Sequence, residues 1–309
     1  MTDEAGNGLA PRAWISPDVA AWERAGQYRH VAGHSIFVIE DGPTGTERSA
    51  PLLVIHGFPT SSFDFRATLP ALSEHRRVVL LDLVGYGLSD KPDIAYTVAH
   101  QAEVVMALAA ERGLDTFSLL THDMGDTVGG ELLARHLDGE WPVTLTQRVV
   151  TNGSIYIEMA QLTPGQRLLL ALPDEQLPER MAPNETVLAD TLAKTMSPGS
   201  EQARASLAPH AELIVHAGGN TLLPRTIRYI EERFQHEERY TGAIETHPAP
   251  LGIVWGIDDP IAVAAMASRL KERRPDADLH WLEGVGHFPM LEAPERFVEA
   301  VEAALSQAR

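Results

Sequence analysis

The chain has 309 residues, 44% of them hydrophobic and 22% charged, the balance of a globular chain able to bury a large core in one α/β domain or two. Its 43 acidic against 25 basic residues give a net charge of −18, which argues against a nucleic-acid backbone or an anionic membrane surface as partner. It has no cysteine, which excludes disulfides, thiolate zinc sites and a cysteine nucleophile, and is compatible with a reducing cytoplasm, the expected location.

The start, MTDEAGNGLAPRAW, is acidic, with no cationic opening and no apolar run, so no signal peptide is expected. Residues 1–12 read as a disordered tail. Ser16-Pro17 opens a short helix that closes near Gly26. HVAGHSIFVIED, residues 30–41, reads as an edge hairpin turning at Ala32-Gly33. An alternation then begins. PLLVIHG is an apolar run, and SFDFRATLPALS, residues 62–73, carries helical spacing. RRVVLLDLVG is a second strand and YTVAHQAEVVMALAAERG a second helix closed by Gly113. FSLLTHD, DTVGGELLARHL and QRVVTNGS give a third strand, a helix and a fourth strand. Continuous Val/Ile/Leu runs fit parallel strands covered on both faces, and strand–helix repetition fits right-handed crossovers in one sheet.

After Gly153 the pattern breaks. Residues 154–246 are helical or loop-like, and the alternation resumes with APLGIVWG, IAVAAMASRLKERR, ADLHWLEG and a terminal helix over 294–306. The expected division is a tail and short helix at 1–27, an α/β core at 28–153 and 247–309, and a helical cap at 154–246. A cap of this kind covers the carboxyl edge of the sheet, where an open α/β sheet places its ligand.

The organising stretch is FSLLTHDMGDTVGG, residues 117–130. A strand turning straight into a helix through small-x-Asp-x-Gly is a nucleophile elbow, here with Asp123 at its apex between Thr121 and Gly125. Taken alone, Asp123 reads as a helix N-cap. Three other features change that reading. Asp259 ends the strand in VWGIDDP, with Asp258 as its rival. His287 sits in the Gly-rich loop of EGVGHFPMLEAP. The order nucleophile, acid, histidine is that of an α/β-hydrolase triad. His56-Gly57-Phe58-Pro59 follows the first buried strand, and the backbone N–H groups of Phe58 and Met124 then form an oxyanion hole. No G-x-S-x-G occurs, which disfavours a serine triad.

HGFPTSSFDF, LDLVGYGLSDKP, LLTHDMGDTVGGELL, WGIDDP and GVGHFPMLEAPERF resemble the α/β-hydrolase superfamily, in the epoxide hydrolase and haloalkane dehalogenase branch with an Asp nucleophile. With TNGSIY added, the set is closer still to the mesoderm-specific transcript hydrolase-like family. The resemblance implies a sheet flanked by helices with a helical cap, and hydrolysis through an alkyl ester on Asp123. His287, held by Asp259, activates water against the carboxyl carbon of that ester. It implies no metal and no organic cofactor; the partners are a small apolar substrate and water. Dehalogenases carry Trp after the nucleophile and Asn after His-Gly, where this chain has Met124 and Phe58. The HGFP form is more like epoxide hydrolases, whose cap tyrosines protonate the ring oxygen. Tyr229 stands where the second of these does, and fits core packing with Ile227 and Ile230 as well; Tyr156 is a poor match for the first. A haloalkane dehalogenase, or a hydrolase-like protein of other or no catalytic function, is the alternative.

Among the other candidates, His122 is expected to be a structural neighbour of the nucleophile. Asp126 favours the dipole of its helix and is expected to point away from Asp123. His210, Glu212 and His216 read as one solvated helical face without a metal motif, and EERFQHEERY, residues 231–240, as another solvated face.

Overall fold

The computed structural model describes residues 14–43 and 49–306. The expected tail at residues 1–12 lies outside them. Helix α1 (Pro17–Ala25) starts on Ser16, whose hydroxyl accepts from Val19 N–H, with Pro17 in the first turn. Strands β1 (Gln27–Val31) and β2 (His34–Asp41) form the expected hairpin. Its turn places Ala32 at φ 48° and Gly33 at φ 85°, the paired positive angles that suit a two-residue hairpin loop.

The alternation follows as read. It comprises β3 (Leu52–Ile55), the short α2 (Leu69–Leu72), β4 (Val78–Leu81), α3 (Val98–Glu111), β5 (Thr116–His122), α4 (Met124–Leu137) and β6 (Thr144–Thr151). Residues 62–73 differ from the expected single helix. A 3₁₀ turn, Ser62–Phe65, precedes α2. Pro70 lacks an N–H and is accommodated in the first turn of a new helix, so it restarts the helix there.

Between β6 and β7 (Leu251–Gly256) lie seven α-helices. These are α5 (Pro164–Ala171), α6 (Glu185–Ala193), α7 (Glu201–Ala205), α8 (Ala208–Val215), α9 (Leu223–Thr226), α10 (Tyr229–Gln235) and α11 (Glu237–Thr246). The chain closes with α12 (Ala264–Arg273), β8 (Asp278–Leu282), α13 (Pro289–Glu292) and α14 (Pro294–Ser306). No helix among the described residues is long and apolar enough to cross a membrane.

The eight strands form one sheet in the order β1-β2-β4-β3-β5-β6-β7-β8. The pairs β1–β2 and β2–β4 are antiparallel and the other five are parallel. Every residue of β3, β4 and β7 is buried, which is why these strands read as unbroken apolar runs. Phe65 and Phe297 pack on one another, and Phe117 packs on Trp141. Each such side chain stabilises the fold by about 1.5–3 kcal/mol on burial.

Residues 231–240 are solvated over most of their length, as expected, with two buried exceptions. Arg233 and Tyr240 are buried, and the Glu232 carboxylate accepts from Val98 N–H. Tyr240 is covered by close packing of α11 on α4: a Cβ at Gly130 would stand 2.8 Å from the Tyr240 carbonyl oxygen. Phe234 alone of the aromatic pair on this run faces solvent.

Candidate active site

Asp123 sits between β5 and α4 with φ 51° and ψ −114°, a backbone conformation that costs a non-glycine residue of order 1–3 kcal/mol. Two close approaches hold it there. A Cβ at Gly57 would lie 2.7 Å from Asp123 Cβ, and one at Gly125 would lie 2.5 Å from the Ile55 carbonyl oxygen. Asp123 makes no side-chain cap bond to its helix. Its carboxylate looks outward from the sheet instead. Phe58 N–H donates to Oδ2 at 2.9 Å, and Oδ1 lies 3.7 Å from His287 Nε2. Phe58 is the one backbone donor to this carboxylate among the described residues. Met124 is the first residue of α4, so its N–H has no intrahelical acceptor.

His287 Nδ1 is 2.8 Å from Asp259 Oδ2. The other oxygen of Asp259 accepts from Ile261 N–H at 2.7 Å and Ala262 N–H at 3.0 Å. Asp258 is exposed and contributes only its backbone N–H, to the Val285 carbonyl. Burial works to lower the proton affinity of His287. The charge of Asp259, its hydrogen bond, Asp123 and Glu292 outweigh burial and push the pKa up to about 9. The imidazolium is thus the resting form at neutral pH.

Several supporting residues were not singled out in the sequence. Asn152, at the end of β6 with φ 49°, donates from Nδ2 to Asp259 Oδ2 at 2.8 Å and accepts from Gly256 N–H at 2.9 Å. Strand β6 lies between the strands of Asp123 and Asp259, so its end residue bridges them. Glu292 accepts from Gly286 N–H, Ser197 N–H and Ser200 Oγ on one oxygen and from Phe288 N–H on the other. It clasps the His287 loop to the helical insert. His287 N–H also donates to the Thr195 carbonyl. A carboxylate five residues after the histidine was the available signal for Glu292.

His122 is the structural neighbour expected. Its Nε2–H donates to the His287 carbonyl at 2.8 Å, and burial first, then the charge of His287, push its pKa down to about 4. His56 fixes the HGFP loop: Nδ1–H donates to the Gly57 carbonyl, and Nε2 accepts from Leu83 N–H at 3.0 Å. Asp126 is bonded to Thr121 Oγ1. Burial, and then the nearby charge of Asp123, raise its pKa well above the usual carboxylate range.

Tyr229 is brought to the site and Tyr156 is not. The Tyr229 ring lies 5.8 Å from that of Phe58, and burial followed by the charge of Asp123 raises its hydroxyl pKa, keeping the proton on oxygen. Tyr156 donates to Glu245 Oε1 at 2.8 Å. A tyrosine outside the insert, Tyr86, also feels the Asp123 charge. Its hydroxyl donates to the Thr226 carbonyl at 3.1 Å and is 3.1 Å from Met124 Sδ.

His210 departs from its expected solvated position. It is 2% exposed, edge-on to Phe63, with Nε2 3.6 Å from Asp64 Oδ1. Glu212 of the same helix accepts from the N–H groups of Ile15 and Ser16, and His216 packs on Trp14. Helix α8 is covered because α1 and the 3₁₀ turn pack against it.

A cavity of about 380 Å³ runs from Phe58 and His287 into the insert, with leucines of α5 and α6 in its walls. A model of the alpha/beta hydrolase family matches residues 52–300. The chain belongs to the alpha/beta hydrolase family. Within it, the chain is 37% identical over 291 residues to the putative hydrolase LipZ of Mycobacterium tuberculosis, covering 94% of this chain and 99% of that one. The mesoderm-specific transcript protein of Mus musculus is 29% identical over 300 residues, covering 94% and 88%. A solved alpha/beta hydrolase fold protein from Burkholderia ambifaria superposes with a TM-score of 0.70 at 26% identity, covering 89% of this chain and 96% of that one. The enol-lactonase from Burkholderia xenovorans LB400 has a TM-score of 0.71 at 18% identity over 91% of this chain and all of that one, a likeness of fold. The chain places its candidate residues at the carboxyl edge of the parallel strands, beneath the helical insert.

Proposed function

We propose that this protein hydrolyses an apolar epoxide through a covalent alkyl ester on Asp123, with Asp259 and His287 completing the triad and the helical insert acting as its cap. The observation that carries the reading is the division of labour between the two oxygens of Asp123. Oδ2 accepts the Phe58 N–H, while Oδ1 is turned toward His287 and is available to attack. Oδ1 displaces the ring C–O bond, and the Tyr229 hydroxyl, kept protonated by burial, supplies the proton to the leaving oxygen. The His287 imidazolium then gives its proton, through solvent, to the tyrosinate, so ester, tyrosine and imidazole all end neutral. Esterification removes the Asp123 charge that helps hold His287 protonated, and the imidazole becomes a base.

His287 then takes a proton from water, and the hydroxide adds to the carboxyl carbon of Asp123. Negative charge develops on Oδ2, where Phe58 N–H already points and the orphan N–H of Met124 joins it. Collapse expels the diol alkoxide, which takes the proton of His287, and leaves Asp123 as a carboxylic acid; transfer of that proton to His287 restores the Asp123 carboxylate and the resting imidazolium. Met124 and Phe58 in place of an indole and an amide disfavour halide as the leaving group.

A single turnover in heavy-oxygen water tests this. The first diol is expected to be unlabelled, with the label left in Asp123; label in the first product overturns the ester route. Asp123→Asn is expected to lower turnover by at least about 10³-fold, measured as diol release.

A further inference from the structure

We infer, building on the epoxide reading above, that the substrate is a terminal epoxide on an unbranched, uncharged aliphatic chain of about a dozen carbons. The size follows from the cavity. At roughly 30 Å³ per methylene-sized group, the share of one water in the liquid, 380 Å³ holds about a dozen heavy atoms. This is larger than the small substrate expected from the sequence.

The absence of charge follows from the walls. The one ionisable side chain lining the cavity among the described residues is His287, at the reacting end. The threonines along it are already committed to their own chain. Thr191 Oγ1 donates to the Val187 carbonyl and Thr195 Oγ1 to the Leu192 carbonyl, both at 2.7 Å. Thr163 and Gln166 form the capping box of α5. A carboxylate or ammonium placed there would lose its hydration and gain no partner. An aliphatic chain meets Leu169, Leu188 and Leu192 instead.

The linear, one-ended shape follows from the two ends. At the outer end the lining reaches the surface through Leu168, Met181 and Val187, which are 63%, 59% and 52% exposed. A chain longer than the cavity continues over these side chains. The neighbouring hollow, which shares Pro59 and Leu223 with the cavity and is otherwise lined by residues such as Tyr86 and Thr226, offers only about 10 Å³, less than one methylene-sized group at the same measure. A second alkyl arm on the epoxide has no space there, so the ring lies at the end of the chain.

The test compares 1,2-epoxybutane, 1,2-epoxyoctane and 1,2-epoxydodecane on the unmodified enzyme. kcat/KM is expected to rise with length, by up to about fourfold per methylene. Leu188→Trp, which fills the wall, is expected to lower the dodecane-to-butane ratio by at least about tenfold. A parallel measurement keeps chemistry out of the comparison: binding of 1-butanol, 1-octanol and 1-dodecanol to Asp123→Asn protein by calorimetry, with the natural lining intact. Affinity that climbs with length while no epoxide is turned over supports the chain and overturns the epoxide reading. Equal affinity for the three alcohols overturns the chain, whether or not epoxides react.

Discussion

Asp259 and His287 meet at the carboxyl edge of the sheet at 2.8 Å; Asp64 and His210 meet at the seam between core and insert at 3.6 Å. All four side chains are buried. The first carboxylate accepts from Ile261 N–H, Ala262 N–H, Asn152 Nδ2 and its histidine. The second accepts from Thr60 Oγ1 on one oxygen, and its other oxygen has no hydrogen-bond partner among the described residues. The outcome is opposite protonation. His287 is pushed up to about 9. Burial pushes Asp64 up to about 8 and His210 down to about 3, so that pair is uncharged despite its salt-bridge spacing. What charges a buried Asp–His pair is the supply of donors to the carboxylate, more than the proximity of the two partners.

Breaking the first pair is expected to have the largest effect. Asp259→Asn keeps the shape but presents an N–H to His287, reversing the tautomer that points the basic nitrogen at water. Turnover is expected to fall by about 10³–10⁴-fold. Because in the proposed route attack by Asp123 precedes the need for a base, the alkyl-enzyme should accumulate and be visible by intact-protein mass spectrometry. A variant that turns over normally would leave His287 without need of its acid.

Weakening the first pair comes next. Asn152→Ala removes one donor to Asp259 and leaves Gly256 N–H without its side-chain acceptor. A stability loss of about 1–3 kcal/mol is expected in urea unfolding at pH 7. The accompanying signature is a fall in the His287 pKa, read from the pH profile of the ester-hydrolysis step.

The smallest effect on turnover is expected at the second pair. The Asp64 pKa is raised from 3.8 to about 8, so its contribution is fully present below pH 3.8 and is lost as pH rises toward 8. Asp64→Asn removes that loss. Its stability should match the unmodified protein near pH 4 and exceed it by a margin that grows as pH rises toward 8. His287, raised from 6.5, weakens both proteins alike between pH 6.5 and about 9. Equal stability of the two proteins at pH 8 would mean that Asp64 is already ionised.

The parts legible in the sequence were those written locally. The elbow around Asp123, the loops of Phe58, Asp259 and His287, and the strand–helix alternation each occupy a few consecutive residues with their own turn chemistry. The parts not legible depend on partners far along the chain. Asn152 bridges to Asp259, 107 residues away, and Glu292 reaches Ser197, 95 residues away. His210 reads as a polar helix residue until α8 is seen to lie over the turn carrying Asp64. Tyr156 and Tyr229 are alike in local sequence terms; only the fold sends one to Glu245 and the other to Phe58.

The glycines flanking the elbow carry a consequence for anyone who would redesign the chemistry. Gly57 and Gly125 abut Asp123 and the Ile55 carbonyl so closely that a methyl group at either overlaps a neighbour. These constraints are on the path of the main chain and are blind to the functional group at the apex. Position 123 is therefore a socket, tolerant of another short side chain, while positions 57 and 125 are its fixed mounting. A directed-evolution library is best spent on the socket and the leucine walls, with both mounting residues held constant.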